Sequence, residues 1–101
     1  MREYIKTCIQ DSIDTKRRLY ENEELLDKIE SAATACITAY KAGGKVLACG
    51  NGGSASDAQH LVGELVGRYK IERFGIAAIA LNSNVAVMTA LGNDYSYDEI
   101  F

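Results

Sequence analysis

Lys45-Val46-Leu47-Ala48-Cys49-Gly50-Asn51-Gly52-Gly53-Ser54-Ala55-Ser56-Asp57-Ala58-Gln59-His60-Leu61-Val62-Gly63-Glu64 carries the chain from an apolar run, through a glycine-rich turn, into a segment with helical spacing. Lys45 to Cys49 reads as a buried strand. Gly50, Gly52 and Gly53 let the backbone turn sharply and let a ligand come close to the amides. Ser54 and Asp57 match the S-x-x-[DE] capping pattern, which predicts Ser54 as the N-cap of the following helix. The free amides of its first turn, with the helix dipole behind them, favour an anion or a polarised oxygen above the strand end.

That helix has two faces. Ala58, Leu61, Val62, Leu65, Val66 and Tyr69 fall on one arc and should pack on the sheet. Asp57, His60, Glu64, Gly67 and Arg68 fall on the other. His60, the only histidine of the chain, stands one turn before Glu64, where i,i+4 side chains meet. One account of this pair is a solvated surface contact, which contributes about 0.2–0.5 kcal/mol. The other is metal ligation or acid-base work: a zinc shell takes four donors, so a metal needs further ligands, and a carboxylate is a natural proton carrier between neighbouring carbons of a sugar.

Before the strand, Ile5, Cys8, Ile9 and Ile13 recur at helical spacing and predict a first helix from Arg2 to Tyr20. Asn22 is the expected N-cap of a second, with Glu23 and Glu24 in its dipole-favoured first turn. Leu25, Leu26, Ile29, Ala32, Ala33, Cys36, Ile37 and Tyr40 mark its stripe, and Gly43-Gly44 closes it. These two amphipathic helices have three outlets: each other, the sheet, or another subunit. After Glu64, Arg68 to Arg73 is a charged exit, and Gly75 precedes Ile76 to Leu81, an apolar run suited to a parallel strand covered on both faces. Asn82-Ser83-Asn84 offers capping groups for a short helix, Val85 to Leu91, ended by Gly92. Asn93 and Asp94 then follow as turn formers, and Tyr95 and Tyr97 are expected to pack.

The organisation expected is residues 1–42 as a helical hairpin used in oligomerisation and 45–101 as a βαβα portion. The fold class is α/β with a parallel sheet. Two strands cannot complete a doubly wound sheet, so a further segment, a partner chain or copies of this chain should cover them. The 101 residues are 48% hydrophobic and 25% charged, ordinary values for a soluble domain. The net charge of −3 argues against a nucleic-acid partner. No apolar stretch reaches membrane-spanning length, and Met1-Arg2-Glu3-Tyr4 lacks the apolar core of a signal peptide. Cys8, Cys36 and Cys49 form no C-x-x-C pair and are expected to be buried, reduced thiols of a cytoplasmic protein. The turn is neither a Walker loop nor G-x-G-x-x-G. From spacing alone it is either a tight connection or a ligand cradle, and its place beyond a strand's carboxyl end favours the cradle.

The runs Lys45 to Ser54, Asp57-Ala58-Gln59-His60, Glu64-Leu65, Gly67-Arg68-Tyr69 and Gly92-Asn93-Asp94-Tyr95 together resemble the phosphoheptose isomerase family of the sugar-isomerase (SIS) domain superfamily. The resemblance extends from the N-terminal helices to Phe101 and corresponds to the N-terminal half of family members. It implies an SIS-type parallel-sheet sandwich, of which the chain carries the N-terminal helices and the first βαβα part. It also implies a homotetramer and an isomerase that converts sedoheptulose 7-phosphate to D-glycero-D-manno-heptose 7-phosphate through an enediol. That product feeds heptose synthesis for bacterial surface polysaccharide. By motif match, Asn51, Gly52, Gly53, Ser54, Glu64, Arg68, Asn93 and Asp94 contact the phosphorylated heptose. His60 and Glu64 match zinc ligands, and Glu64 matches the catalytic base. The family's phosphate loop, its later histidine and its later glutamine have no counterpart before Phe101, so the 101-residue chain alone is expected to be inactive. A different class within the same superfamily is a non-catalytic sugar-phosphate-binding regulator, or a DnaA initiator-associating protein.

Overall fold

The computed structural model describes residues 1–101, which divide into two compact units, Met1–Ile37 and Thr38–Phe101.

In the first unit, α1 spans Arg2–Tyr20, as the isoleucine spacing predicts. Glu3 sits in its first turn and Arg17 and Arg18 in its last, so charge opposes the dipole at both ends. The stripe itself is uncovered: Ile5, Ile9 and Ile13 are exposed and α1 buries no residue. The second helix, α2, spans Glu23–Lys41 and crosses the boundary between the units. Asn22 caps it as expected, its Oδ1 accepting from Leu25 N–H at 3.0 Å. At the other end Gly43 takes φ 78°, Gly43 N–H donates to Tyr40 O at 3.0 Å, and Gly44 N–H donates to Ala39 O at 2.8 Å. That pair of bonds is a Schellman closure, which needs the left-handed residue glycine supplies. Gly44 is constrained separately, because a Cβ there would meet Ala39 O at 2.9 Å.

The second unit is built on two parallel strands. Strand β1 (Val46–Ala48) pairs with β2 (Ala78–Ala80) in the register Val46↔Ala78, Leu47↔Ile79, Ala48↔Ala80. Between them runs α3 (Gly53–Val66), giving a parallel βαβ unit. Successive strand residues face opposite sides. Ala80 is buried, while Leu47 and Ile79, on the opposite face, are exposed. Helix α3 therefore covers one face and leaves the other open. No stretch of the chain gives these strands the two-sided cover expected of them. A 3₁₀ turn, Leu81–Ser83, leads into α4 (Val85–Asp94), and a second such turn, Tyr97–Glu99, ends the chain's regular structure. Asn84 caps α4, its Oδ1 accepting from Val87 N–H at 3.1 Å. The buried hydrophobics are Ala58, Ala80 and Ile100.

Four expectations need correction. The second strand is shorter than the run Ile76–Leu81, because Leu81 turns into the 3₁₀ segment. Gly92 does not end α4: the helix continues to Asp94, and Gly92 lies where a Cβ would already touch Ile100 Cγ2 at 3.6 Å. That distance is an ordinary van der Waals contact, so neither termination nor space demands glycine at this position. Cys8, Cys36 and Cys49 are exposed free thiols, since no segment of this chain covers the faces that carry them. Tyr95 and Tyr97 are exposed for the same reason. No helix is long and apolar enough to cross a membrane.

Candidate functional site

The glycine-rich turn forms as a sharp strand-to-helix connection, with a different cap from the one expected. Gly52, at φ 57° and ψ −124°, is the N-cap of α3, and no side chain caps the helix. Ser54 therefore lies inside the first turn. The left-handed φ admits Gly52 at low cost and starts the helix early. The first turn is tight: Ser54 N–H donates to Asn51 O and Ala55 N–H to Gly52 O, both at 3.1 Å. Gly50 is needed for close approach, because a Cβ there would meet Ser54 O at 2.4 Å. Asn51, Gly52, Gly53 and Ser54 are all exposed. From the far side, Asn82, buried after β2, donates from Nδ2 to Ala55 O at 3.1 Å and ties the first turn of α3 to the second strand.

Seven residues beyond Gly53, about 10 Å along the helix axis, His60 Nε2 lies 3.1 Å from Glu64 Oε1. The His60 side chain is 77% exposed and that of Glu64 37%. Both line an open groove of about 610 Å³ with Asp57, Leu61, Leu65, Tyr69, Lys70, Ile71 and Arg73. A second groove, at the end of β1, is lined by Cys49 and Ser54 and shares Asp57 and Leu61 with the first. The pair thus sits on the helix that the turn launches, one groove away from it.

The remaining expected residues are placed elsewhere. Arg68 lies past the end of α3 and donates from Nη1 to Glu72 Oε2 at 2.8 Å, with both side chains largely exposed. It does not line the His60–Glu64 groove. Asn93 and Asp94 close α4, where Asn93 Nδ2 donates to Asp94 Oδ1 at 2.9 Å, and neither lines either groove. Sequence reasoning missed Arg73, which it left within a charged exit. Arg73 lines the groove and bonds four backbone carbonyls. The available signal was an arginine following a helix whose last turn holds no basic residue.

For a metal, the donor chemistry is partial. Two ligands of a tetrahedral zinc at ~2.1 Å lie about 3.4 Å apart, and the His60–Glu64 separation of 3.1 Å is close to that bite. No group of three or more His, Cys, Asp or Glu side chains converges in the chain. The pair fits two positions of a four-donor shell and does not complete one.

Comparison with known proteins extends this geometry. The model of the SIS domain family matches residues 9–101. Phosphoheptose isomerase from Sulfurimonas denitrificans is 46% identical over 101 residues, which cover 100% of this chain and 52% of that protein. The solved phosphoheptose isomerase structure from Francisella tularensis superposes with a TM-score of 0.88 at 38% identity, covering 98% of this chain and 51% of that one. The corresponding structure from Neisseria gonorrhoeae gives 0.84 at 36% identity, covering 99% and 50%. The chain spans about half the length of the relatives it matches. A glycine turn ahead of a helix, a parallel βαβ unit and a family match along nearly the whole sequence lead to one assignment: the chain belongs to the SIS domain family.

Proposed function

We propose that the protein containing this chain is a phosphoheptose isomerase, which converts sedoheptulose 7-phosphate to D-glycero-D-manno-heptose 7-phosphate for bacterial heptose synthesis in the cytoplasm. The observation that carries this reading is the His60–Glu64 pair at 3.1 Å on α3, behind a glycine-rich turn with an uncapped helix start. The names of the relatives support it.

The reaction moves a proton from C1 of the ketose to C2, through an enediol, while a proton passes from the C1 hydroxyl to the C2 oxygen. Glu64 takes the C1 proton, since its carboxylate is part-exposed to the groove. His60, one turn away, keeps its Nε2 3.1 Å from Glu64 Oε1 and so sets the place of that carboxylate at the groove. His60 and Glu64 are the residues that would hold zinc, whose bound positive charge stabilises the developing oxyanion. Asn51, Gly52, Gly53 and Ser54 bind the sugar phosphate through the exposed start of α3. Arg68, Asn93 and Asp94 complete the binding set, and Arg68 does so by exchanging its exposed Glu72 partner for substrate. The uncovered apolar stripe of α1 supports a homotetramer.

The test is an isomerase assay with sedoheptulose 7-phosphate and zinc, run on the full-length protein and on the 101-residue chain. Turnover by the former and little by the latter is expected, because His60 and Glu64 supply only two donors of a four-donor shell. A full-length protein that binds the sugar phosphate and turns none of it over would refute the reading.

A further inference from the structure

Helix α3 ends without any of the usual devices. Its C-cap, Gly67, has φ −82° and ψ −133°, which is not the left-handed cap conformation, and its last turn carries no basic residue. Gly67 N–H donates to Gly63 O at 2.9 Å as the last helical bond. The carbonyls that follow lose their i+4 amides and need other donors. The returning segment provides them. Arg73 Nη2–H donates to Glu64 O at 2.6 Å, and Arg73 Nη1–H donates to Leu65 O at 2.8 Å, Gly67 O at 3.1 Å and Phe74 O at 3.0 Å. Ile76 N–H adds a bond to Leu65 O at 2.9 Å. Gly75 lets the segment come this close, since a Cβ there would meet Val66 O at 2.6 Å.

The guanidinium is suited to this task. Its planar fork presents several N–H groups at fixed angles, and it holds positive charge against the negative end of the helix dipole. One of its acceptors is the backbone carbonyl of Glu64 itself, and its side chain lines the groove that Glu64 enters.

We propose that Arg73 is a positioning residue, whose guanidinium clamps the last turn of α3 and so fixes the backbone that presents the Glu64 carboxylate to the groove. The proposal rests on the isomerase reading for the task of Glu64, and on the bonds above for the clamp.

The experiment compares Arg73→Ala and Arg73→Lys in the full-length protein, well below their melting transitions. A displaced base lowers turnover without loosening the substrate, so R73A should lose about 10-fold or more in kcat with KM changed less than about threefold. R73K, which keeps the charge but not the fork, should recover part of the loss. Hydrogen exchange should be about 10-fold faster at the amides of the last turn of α3 in R73A, and unchanged in α4. A merely structural arginine would lower the melting temperature and leave kcat of the folded protein within about twofold, and that result overturns the proposal. If wild type shows no turnover, the isomerase reading fails, and with it the catalytic purpose assigned to Arg73; unchanged exchange in R73A removes the clamp as well. Should R73A fail to fold, R73K and Arg73→Gln are read by the same two measurements.

Discussion

At its N-terminal end α3 starts from Gly52 at φ 57° with no side-chain cap, whereas at its C-terminal end Arg73 gathers the carbonyls of Glu64, Leu65 and Gly67. The two ends of one helix are finished in opposite ways, although an orphan amide and an orphan carbonyl cost similar amounts when left dry. The neighbouring helices show that this chain makes ordinary caps elsewhere: Asn22 closes the start of α2 and Asn84 the start of α4. The start of α3 is therefore left open where a side-chain cap was available at Ser54. Ser54 and Ala55 spend their amides on Asn51 O and Gly52 O, which leaves Gly53 N–H for an outside acceptor. A clamped finish keeps the last turn, with Glu64, from fraying. The helix is divided between an open end, the one proposed to bind substrate, and a rigid end.

The largest expected effect tests the rigid end. Glu64→Gln keeps the shape of the side chain and removes its basicity. In the full-length protein it should lower isomerase kcat by about 10²–10⁴-fold, the usual worth of a general base. Stability should move by no more than about 0.5 kcal/mol, because the carboxylate makes a part-exposed i,i+4 contact and nothing else. Steady-state kinetics and urea titration read the two halves of this expectation. A variant that retains wild-type turnover would break the division, leaving the pair as surface decoration.

Much of the division was legible in the residues. The spacing of Ile5, Ile9 and Ile13 located α1, Asn22 and Gly43-Gly44 bounded α2, and i,i+4 geometry brought His60 and Glu64 together. Local patterns of this kind report interactions within one turn of helix. What escaped notice was set by other segments. Ser54 looked like a cap because S-x-x-[DE] ignores the φ that Gly52 alone can take. Gly92 looked like a stop because glycine often closes a helix, yet α4 runs through it to Asp94. Arg73 looked like part of a solvated exit because three of its four acceptors lie six to nine residues back along the chain. The thiols were expected inside because apolar faces usually find cover, and here the cover is not supplied by these residues.

A smaller effect, on stability, tests whether the open start depends on the approach of Gly50 to α3. In Gly50→Ala the new Cβ would lie 2.4 Å from Ser54 O and 2.7 Å from Ser54 Cβ, atoms of the first helical turn that cannot rotate away. The turn must shift, at a cost of about 1–3 kcal/mol, the range for overpacked sites. Chemical denaturation of G50A in the full-length protein measures it. A loss of under about 0.5 kcal/mol would mean the strand-to-helix turn is loose enough to rearrange, and the contrast between a shaped start and a clamped finish would weaken.

The last effect, a gain in stability, is also the most discriminating. Gly53 is the first residue of α3, and a Cβ there meets nothing within 4 Å. As a helical position freed of glycine's entropy, Gly53→Ala should stabilise the protein by about 0.5–1 kcal/mol. A glycine kept where alanine is better for the fold points to something that must come close to its backbone. G53A should therefore bind sedoheptulose 7-phosphate about 10-fold more weakly, or show KM raised by that factor, while melting at a higher temperature than wild type. Calorimetric titration and a thermal melt on the same sample separate the two. If affinity is unchanged as stability rises, the glycine turn is a folding device only, and the sugar phosphate must be gripped by residues other than Asn51, Gly52 and Gly53.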